Sequence, residues 1–184
     1  MSMRSLGALL LTVFVGSVAA GEGPGLGIEA DPREVAAWDI DIAADGTGLP
    51  PGSGTATDGA AVYARHCLAC HGAWGSGGLN DALVGGQGTL DGPAPLRTVG
   101  SFWPFAATLF DYVRRAMPYL EPRSLSNDEV YALTAYLLFL NGIIAEKQTM
   151  DARTLAKVRM PNRDNFIPAY PAAQLERIQP EAPE

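Results

Sequence analysis

The sequence has 184 residues, of which 47% are hydrophobic and 18% charged, so it is long enough for one domain with a hydrophobic core. Its net charge of −7 disfavours binding to nucleic acid or to anionic lipid, because both attract clustered cations. We therefore expect no nucleic-acid partner. An acidic surface suits partners with basic docking patches, or it serves solubility alone.

Residues 1–20 have the features of a secretory signal peptide. Arg4 supplies a positive charge, an apolar run extends from Leu6 to Val18, and small residues precede an expected cleavage before Gly21. The apolar run is shorter than the about 20 residues that a membrane span needs. We therefore expect export with cleavage and no membrane span afterwards. Loss of Arg4 makes the net charge one unit more negative.

Residues 21–56 are rich in glycine and proline and predict an extended N-terminal arm. A helix is expected next, with Thr57 or Asp58 as its N-cap. Within this helix Gly59 and Tyr63 are four residues apart and share a face. A glycine on that face would allow a second helix to cross closely.

Cys67, Cys70 and His71 belong to the sequence Cys-Leu-Ala-Cys-His, which is the C-x-x-C-H motif of haem c attachment. Two thiols three positions apart near a helix end can each add across one haem vinyl group. The imidazole of the residue that follows the second cysteine then lies beneath the iron. The motif predicts one covalent haem c, with His71 as the proximal axial ligand of the iron. No second C-x-x-C-H motif occurs.

Three other sites share part of this pattern: a structural disulfide, a thioredoxin-like redox pair and a zinc site. Neither of the first two requires the histidine. A zinc site needs four ligands, and the one other histidine, His66, is adjacent to Cys67, which makes tetrahedral geometry awkward. We expect His66 to be an exposed helical residue.

Two stretches of different composition lie between the motif and residue 117. Gly72–Gly92 is rich in glycine, which suits a chain that wraps closely around a flat cofactor. Phe102–Phe105 then leads into a helix that ends at Arg114 and Arg115, where cations suit the helix dipole. The aromatic run is expected to line a haem crevice or to be ordinary core. Either arginine is a candidate partner for a haem propionate.

Methionine is a common second ligand of haem iron in electron carriers. Two methionines followed by proline, Met117 and Met160, are the candidates. Met117 lies between two expected helices, where the chain can cross the open face of the haem, and the proline would stiffen that crossing. Met160 lies beyond the last long helix. We predict Met117 as the distal ligand, with Met160 as the runner-up or as a tail residue packed into a groove.

The most clearly marked helix begins after Ser126, which forms a capping box with Glu129. Apolar residues follow at helical spacing, and Asn141–Gly142 ends the helix. Tyr136 lies beside the apolar stripe. It could pack over Gly59, so this helix is the candidate for the close crossing.

Residues 146–184 contain several prolines and predict an extended C-terminal tail with a brief helix near Ala152–Lys157. Residues 57–145 then form the haem-binding domain. Together these segments predict an all-α protein with the class I cytochrome c fold and extended arms at both ends.

Four longer stretches are more specific than the haem motif: Gly48–Thr55, Thr98–Phe105, Arg115–Pro118 and Met160–Asp164. In these stretches the chain resembles the haem domain of the cytochrome c subunit of bacterial sulfane dehydrogenase, the Sox-type partner of a molybdenum enzyme. The resemblance implies a periplasmic electron acceptor for a molybdenum-cofactor dehydrogenase that oxidises sulfite or protein-bound sulfane sulfur.

The resemblance also carries over to the site. Cys67, Cys70, His71 and Met117 match the attachment and ligand positions of that family. Some family members have a second haem domain, whereas this sequence has one haem motif. Small cytochromes often use a proline carbonyl to orient the proximal histidine, and the prolines at 93 and 95 are both open for that role.

The expected function is the relay of single electrons from the dehydrogenase to a further carrier, with no catalytic site of its own. Two alternatives remain. One is a general periplasmic electron shuttle unrelated to sulfur. The other is a catalytic haem protein with a labile sixth ligand.

Overall fold

The computed structural model describes residues 26–167 and 169–170. The elements in chain order are α1 (Pro32–Trp38), β1 (Ser53–Gly54), α2 (Ala56–His66), α3 (Leu68–His71), α4 (Ala106–Ala116), α5 (Asn127–Leu140), β2 (Met150–Asp151), α6 (Ala152–Leu155) and a 3-10 turn (Arg163–Asn165). Strand structure in these residues is limited to two paired strands of two residues each, so the predicted all-α class is confirmed.

The chain divides into two units, Met1–Asp39 and Ile40–Glu184. The first contains α1, which is capped by Asp31: its carboxylate accepts a hydrogen bond from the Arg33 N–H at 2.7 Å. No residue of α1 is buried. The predicted signal peptide, residues 1–20, lies outside the described residues. In the described part of the chain no helix is long and apolar enough to cross a membrane.

In the second unit, α2 begins after Thr55, so the expectation that Thr57 or Asp58 caps this helix was wrong. Thr55 Oγ1 accepts a hydrogen bond from the Asp58 N–H at 3.3 Å, and the Asp58 carboxylate accepts one from the Thr55 N–H at 3.2 Å. The two residues form a reciprocal capping box. Asp58 therefore occupies the third helical position of the box instead of the cap.

Helix α2 crosses α5 at Gly59. A Cβ atom at this position would lie 2.0 Å from the carbonyl oxygen of Ala132 and 2.8 Å from Cβ of Tyr136, so a side chain cannot be accommodated without a shift of backbone. The rings of Tyr63 and Tyr136 pack beside this contact with centroids 5.3 Å apart. The predicted close crossing and the position of Tyr136 are confirmed.

Helix α5 lies at the centre of the core. The predicted capping box is present, with Ser126 Oγ accepting from the Glu129 N–H at 3.3 Å and the Glu129 carboxylate accepting from the Ser126 N–H at 3.0 Å. Every residue from 130 to 138 is buried, as expected of a helix covered on all sides. Helix α4 packs against α5 through the rings of Phe110 and Tyr131, whose centroids are 4.4 Å apart.

Part of the segment predicted as a C-terminal tail packs into the core. Met150, Leu155, Val158 and Met160 are buried there. Strand β2 pairs antiparallel with β1, and Gly54 of β1 lies so close to α5 that a Cβ atom would come within 2.5 Å of a backbone nitrogen of the helix. The described residues after 149 therefore extend the hydrophobic core around α5.

Asn141, directly after α5, fixes the irregular segment between α3 and α4. Its Oδ1 accepts from the Gly85 N–H at 3.1 Å, and its Nδ2 donates to the carbonyl oxygens of Leu83 and Leu137 at 3.1 and 2.9 Å. Its own carbonyl accepts from the Gln87 side chain at 3.1 Å. Because Asn141 is only 8% exposed, these bonds satisfy an amide side chain that is largely shielded from water.

Replacing Gly59 by alanine is expected to destabilise the protein, although alanine is the better helix former by about 1 kcal/mol. The new methyl group meets rigid backbone, and overpacking of this kind costs typically about 1–3 kcal/mol. Chemical denaturation followed by circular dichroism should show a lower free energy of unfolding. Gly92→Ala is the matched control, because the nearest atom to a Cβ at this position would be the Thr89 carbonyl oxygen at 3.3 Å, which is much farther than the 2.0 Å at Gly59. A Gly59→Ala protein as stable as wild type would contradict the close crossing.

Removing the Asn141 side-chain amide should cost more stability than removing one that reaches solvent. Asn141→Ala removes the acceptor of the partly buried Gly85 N–H and the bonds to the Leu83 and Leu137 carbonyls, at a cost of about 1–3 kcal/mol. Asn127→Ala removes a single exposed hydrogen bond to the Pro51 carbonyl and should change stability by less than about 1 kcal/mol. Equal losses in the two variants, measured by denaturation, would contradict the role of Asn141.

Candidate haem site

The haem motif lies at the junction of α2 and α3. Cys67 ends α2, where its N–H donates to the Tyr63 carbonyl at 2.9 Å, and it is also the N-cap of α3. Cys70 and His71 follow within α3, and the His71 N–H donates to the Cys67 carbonyl at 2.9 Å. Because residues three and four apart share a helix face, this single turn holds all three on one side.

The imidazole of His71 is oriented by a backbone carbonyl. Its Nδ1 lies 2.9 Å from the carbonyl oxygen of Asp81. Because a carbonyl can only accept, Nδ1 carries the proton and the lone pair of Nε2 is left for a metal. The carbonyl is not supplied by Pro93 or Pro95. Sequence reasoning missed Asp81 because every residue offers a carbonyl and no side-chain pattern marks this one.

A turn after the motif brings Asp81 to the imidazole. At Gly72 the backbone has φ +81°, and a Cβ atom would lie 1.9 Å from the carbonyl oxygen of Ser76, so this turn requires glycine. The Tyr63 hydroxyl donates to the Gly72 carbonyl at 2.8 Å and holds the turn to α2. Burial is the main cause that raises the pKa of Tyr63 to about 12, so its hydroxyl stays protonated as a donor.

A cavity of about 470 Å³ lies beside the motif. Cys67, Cys70, His71 and Met117 all line it, so the structure brings these four predicted residues together. Met160 is not among the lining residues. It is 1% exposed and belongs to the hydrophobic core. The volume falls within the roughly 300–1,000 Å³ of cofactor pockets.

The wall of the cavity is largely apolar. It includes Leu83, Val99, Trp103, Leu109, Val113, Leu133 and Leu137. Of the aromatic run from 102 to 105 that was expected to line a crevice, Trp103 does so, with its ring edge-on to Tyr112 at 5.6 Å between centroids. Phe102 and Phe105 instead lie beneath arginine side chains.

The basic residues near the site are not placed as the sequence predicted. His66 is the last residue of α2, is half-buried and lines the cavity instead of being exposed. Arg97 lines the cavity, whereas Arg114 and Arg115 do not. Arg115 pairs with Asp111 at 2.8 Å on the outer face of α4.

The donor set fits a haem better than the other sites that share the motif. Across the described ranges, no three His, Cys, Asp or Glu side chains are placed to hold a metal such as zinc. Cys67 and Cys70 do not form a disulfide. Burial, aided by Cys70, raises the pKa of the Cys67 thiol to about 11, whereas redox-active cysteine pairs depend on a lowered thiol pKa. Two thiols, an imidazole and a thioether around an apolar cavity suit haem c.

Comparisons with known proteins agree with this site. Residues 54–137, from β1 through most of α5, match the family model described as cytochrome c oxidase, cbb3-type, subunit III. A search of curated proteins finds no match. Among solved structures, the chain is similar to one in the crystal structure of the sulfane dehydrogenase SoxCD from Paracoccus pantotrophus.

The similarity to the SoxCD structure has a TM-score of 0.75 and a sequence identity of 41%, and it covers 79% of this chain and 72% of the other. Identity at this level over most of both chains indicates common descent as well as a shared fold. The predicted class I cytochrome c fold is confirmed, and membership of a cytochrome c family implies haem c as the cofactor. The chain belongs to the Sox-type c-type cytochromes.

Proposed function

We propose that this protein is a periplasmic mono-haem cytochrome c that accepts electrons from a molybdenum-cofactor sulfite or sulfane dehydrogenase and relays them to a further carrier. The observation that carries the proposal is the similarity to a chain of the sulfane dehydrogenase SoxCD, at 41% identity, combined with a cavity lined by the predicted haem residues. The single C-x-x-C-H motif supports one haem per chain.

In the proposed site, Cys67 and Cys70 would form the two thioether links to the haem, His71 would bind the iron through Nε2, and Met117 would supply the second ligand of the iron. The position of Met117 supports this role, because Met117 is the C-cap of α4 and lines the same cavity as the motif. Met160 remains the runner-up, and its burial in the core away from the cavity lining favours Met117.

A bound haem supplies one-electron chemistry at its iron. The protein's own residues keep that chemistry to electron transfer. His71 and Met117 would both bind the iron and leave no position for a substrate, and the apolar wall would limit the access of water. The hydrogen bond from His71 Nδ1 to the Asp81 carbonyl would hold the imidazole in one orientation. The chain would then need no catalytic site of its own, and sulfur oxidation would belong to the partner.

The periplasmic location rests on the signal-peptide features of residues 1–20 and on the family resemblance. The oxidation of sulfite or of protein-bound sulfane sulfur releases electrons in pairs, and a mono-haem protein accepts them one at a time. The partner must therefore deliver two successive electrons. A downstream carrier must reoxidise the cytochrome between them.

Substituting Met117 should change the spectrum of the purified holoprotein. We expect wild type to show a low-spin ferric spectrum with the weak methionine-to-iron band at the red end of the visible range. Met117→Ala should lose that band and lower the reduction potential, because a soft thioether stabilises ferrous iron. The covalent haem should remain.

Met160→Ala is the matched control for this ligand assignment. It should keep the band but lose about 2–5 kcal/mol of stability, since it leaves a core cavity. A band lost in Met160→Ala and kept in Met117→Ala would reverse the assignment. A high-spin ferric spectrum in wild type would favour a catalytic haem with a labile sixth ligand.

Reduction assays test the proposed partner. The ferric protein should stay oxidised when mixed with sulfite or thiosulfate alone, and it should be reduced once the matching molybdenum-cofactor dehydrogenase and its substrate are added. Reduction by the sulfur compound without the enzyme would support a catalytic haem. Failure of the enzyme to reduce it, with ready reduction by unrelated periplasmic dehydrogenases, would support a general shuttle.

A further inference from the structure

Arg97 places a positive charge at the wall of the haem cavity. Of the described residues that line the cavity, Arg97 is the one Lys or Arg and Asp81 is the one carboxylate. We propose that the guanidinium of Arg97 binds a haem propionate and thereby raises the reduction potential of the iron. This inference rests on the proposed function, because it requires haem in this cavity.

The chemistry of the ligand calls for a cation here. A haem carries two propionate carboxylates, and a carboxylate that is moved away from bulk water needs a cation or several hydrogen-bond donors. A planar guanidinium matches a carboxylate with two parallel N–H donors. The side chains of Asn80, Tyr112 and Tyr119 also line the cavity and offer neutral donors. They provide no charge compensation.

The backbone on both sides of Arg97 is fixed by hydrogen bonds. The Leu96 N–H donates to Thr89 Oγ1 at 3.0 Å, and the Leu96 carbonyl accepts from Ser101 Oγ at 2.6 Å. The Thr98 N–H donates to Ser101 Oγ at 2.9 Å. Thr98 and Ser101 are 2% and 5% exposed, so the bond between the Thr98 N–H and Ser101 Oγ is shielded from water. The position from which Arg97 extends is therefore well defined.

The side chain of Arg97 is fixed as well. Its Cζ lies over the Phe102 ring, 5.3 Å from the centroid, in a cation–π contact that needs none of the guanidinium N–H groups as hydrogen-bond donors. The ion pairs formed among the described residues involve other arginines. Arg115, which the sequence suggested as a propionate partner, forms ion pairs with Asp111 and Asp41.

The sign of the effect follows from electrostatics. Ferric haem carries one more positive charge than ferrous haem, so an uncompensated propionate stabilises the ferric state. The guanidinium compensates that carboxylate and adds a positive charge near the iron. Arg97 therefore favours the ferrous state and raises the reduction potential. Because Arg97 is exposed, solvent screening reduces the size of this effect.

The test compares reduction potentials of the holoprotein with three substitutions. Arg97→Gln removes the charge, Arg97→Lys keeps it, and Arg114→Gln removes a charge outside the cavity from a residue that the sequence also nominated. We expect Arg97→Gln to shift the ferric-to-ferrous ratio at fixed potential about threefold or more toward ferric, where tenfold corresponds to about 59 mV for one electron. Arg97→Lys should recover most of that shift. Arg114→Gln should change the ratio by less than about 1.5-fold, because Arg114 does not line the cavity.

Two further readouts separate this inference from the proposed function. Covalent haem is measured on the denatured protein, and methionine ligation is measured by the charge-transfer band. If wild type lacks covalent haem, the proposed function fails. If haem and band are normal but Arg97→Gln leaves the potential unchanged, or Arg114→Gln lowers it equally or more, the role of Arg97 is wrong. Loss of haem in Arg97→Gln alone, restored by Arg97→Lys, would support propionate binding.

Discussion

The contact between Gly59 and the carbonyl oxygen of Ala132 sets the distance between α2 and α5, and the haem site depends on that distance. Helix α2 ends at the attachment motif, while α5 supplies Leu133 and Leu137 to the cavity lining. A larger residue at position 59 would push the motif away from the wall that it faces. The missing side chain of one glycine therefore fixes the relation between the two helices that hold the cavity.

The haem site also depends on the irregular segment between α3 and α4, which is held in place by hydrogen bonds. The residues between α3 and α4 have no strand or helix, yet they deliver the Asp81 carbonyl to His71 and the Arg97 side chain to the cavity. Asn141 and the buried Thr98–Ser101 turn supply the hydrogen bonds that regular structure would otherwise provide. An electron-transfer site benefits from this rigidity, because its ligands should move little when the iron changes oxidation state.

The parts of this account that the sequence predicted are those with local chemical signatures. The haem motif, the Ser126–Glu129 capping box and the close crossing at Gly59 each follow from residue type and spacing within a few positions. The Met117 ligand and the domain bounds are still predictions. Asp81 could not be found, because it acts through a backbone group in a loop that tertiary contacts shape.

Other features depended on contacts between distant segments. Arg97 is 26 residues beyond His71 in the sequence, and nothing local distinguishes it from Arg114 or Arg115. Met150 and Met160 are buried because they pack into the core cluster that includes α5, which the proline content of that segment did not indicate. The cap of α2 was misplaced by two or three residues because Thr55, Thr57 and Asp58 all favour helix starts.

The central claim is that one haem is covalently attached at the motif. Mass spectrometry of the protein secreted by a host with haem-attachment machinery tests it most directly. The account predicts a polypeptide heavier by one haem, with the added mass on the proteolytic fragment that contains Cys67 and Cys70. A polypeptide without added mass, or one in which both of these cysteines react as free thiols, would contradict it.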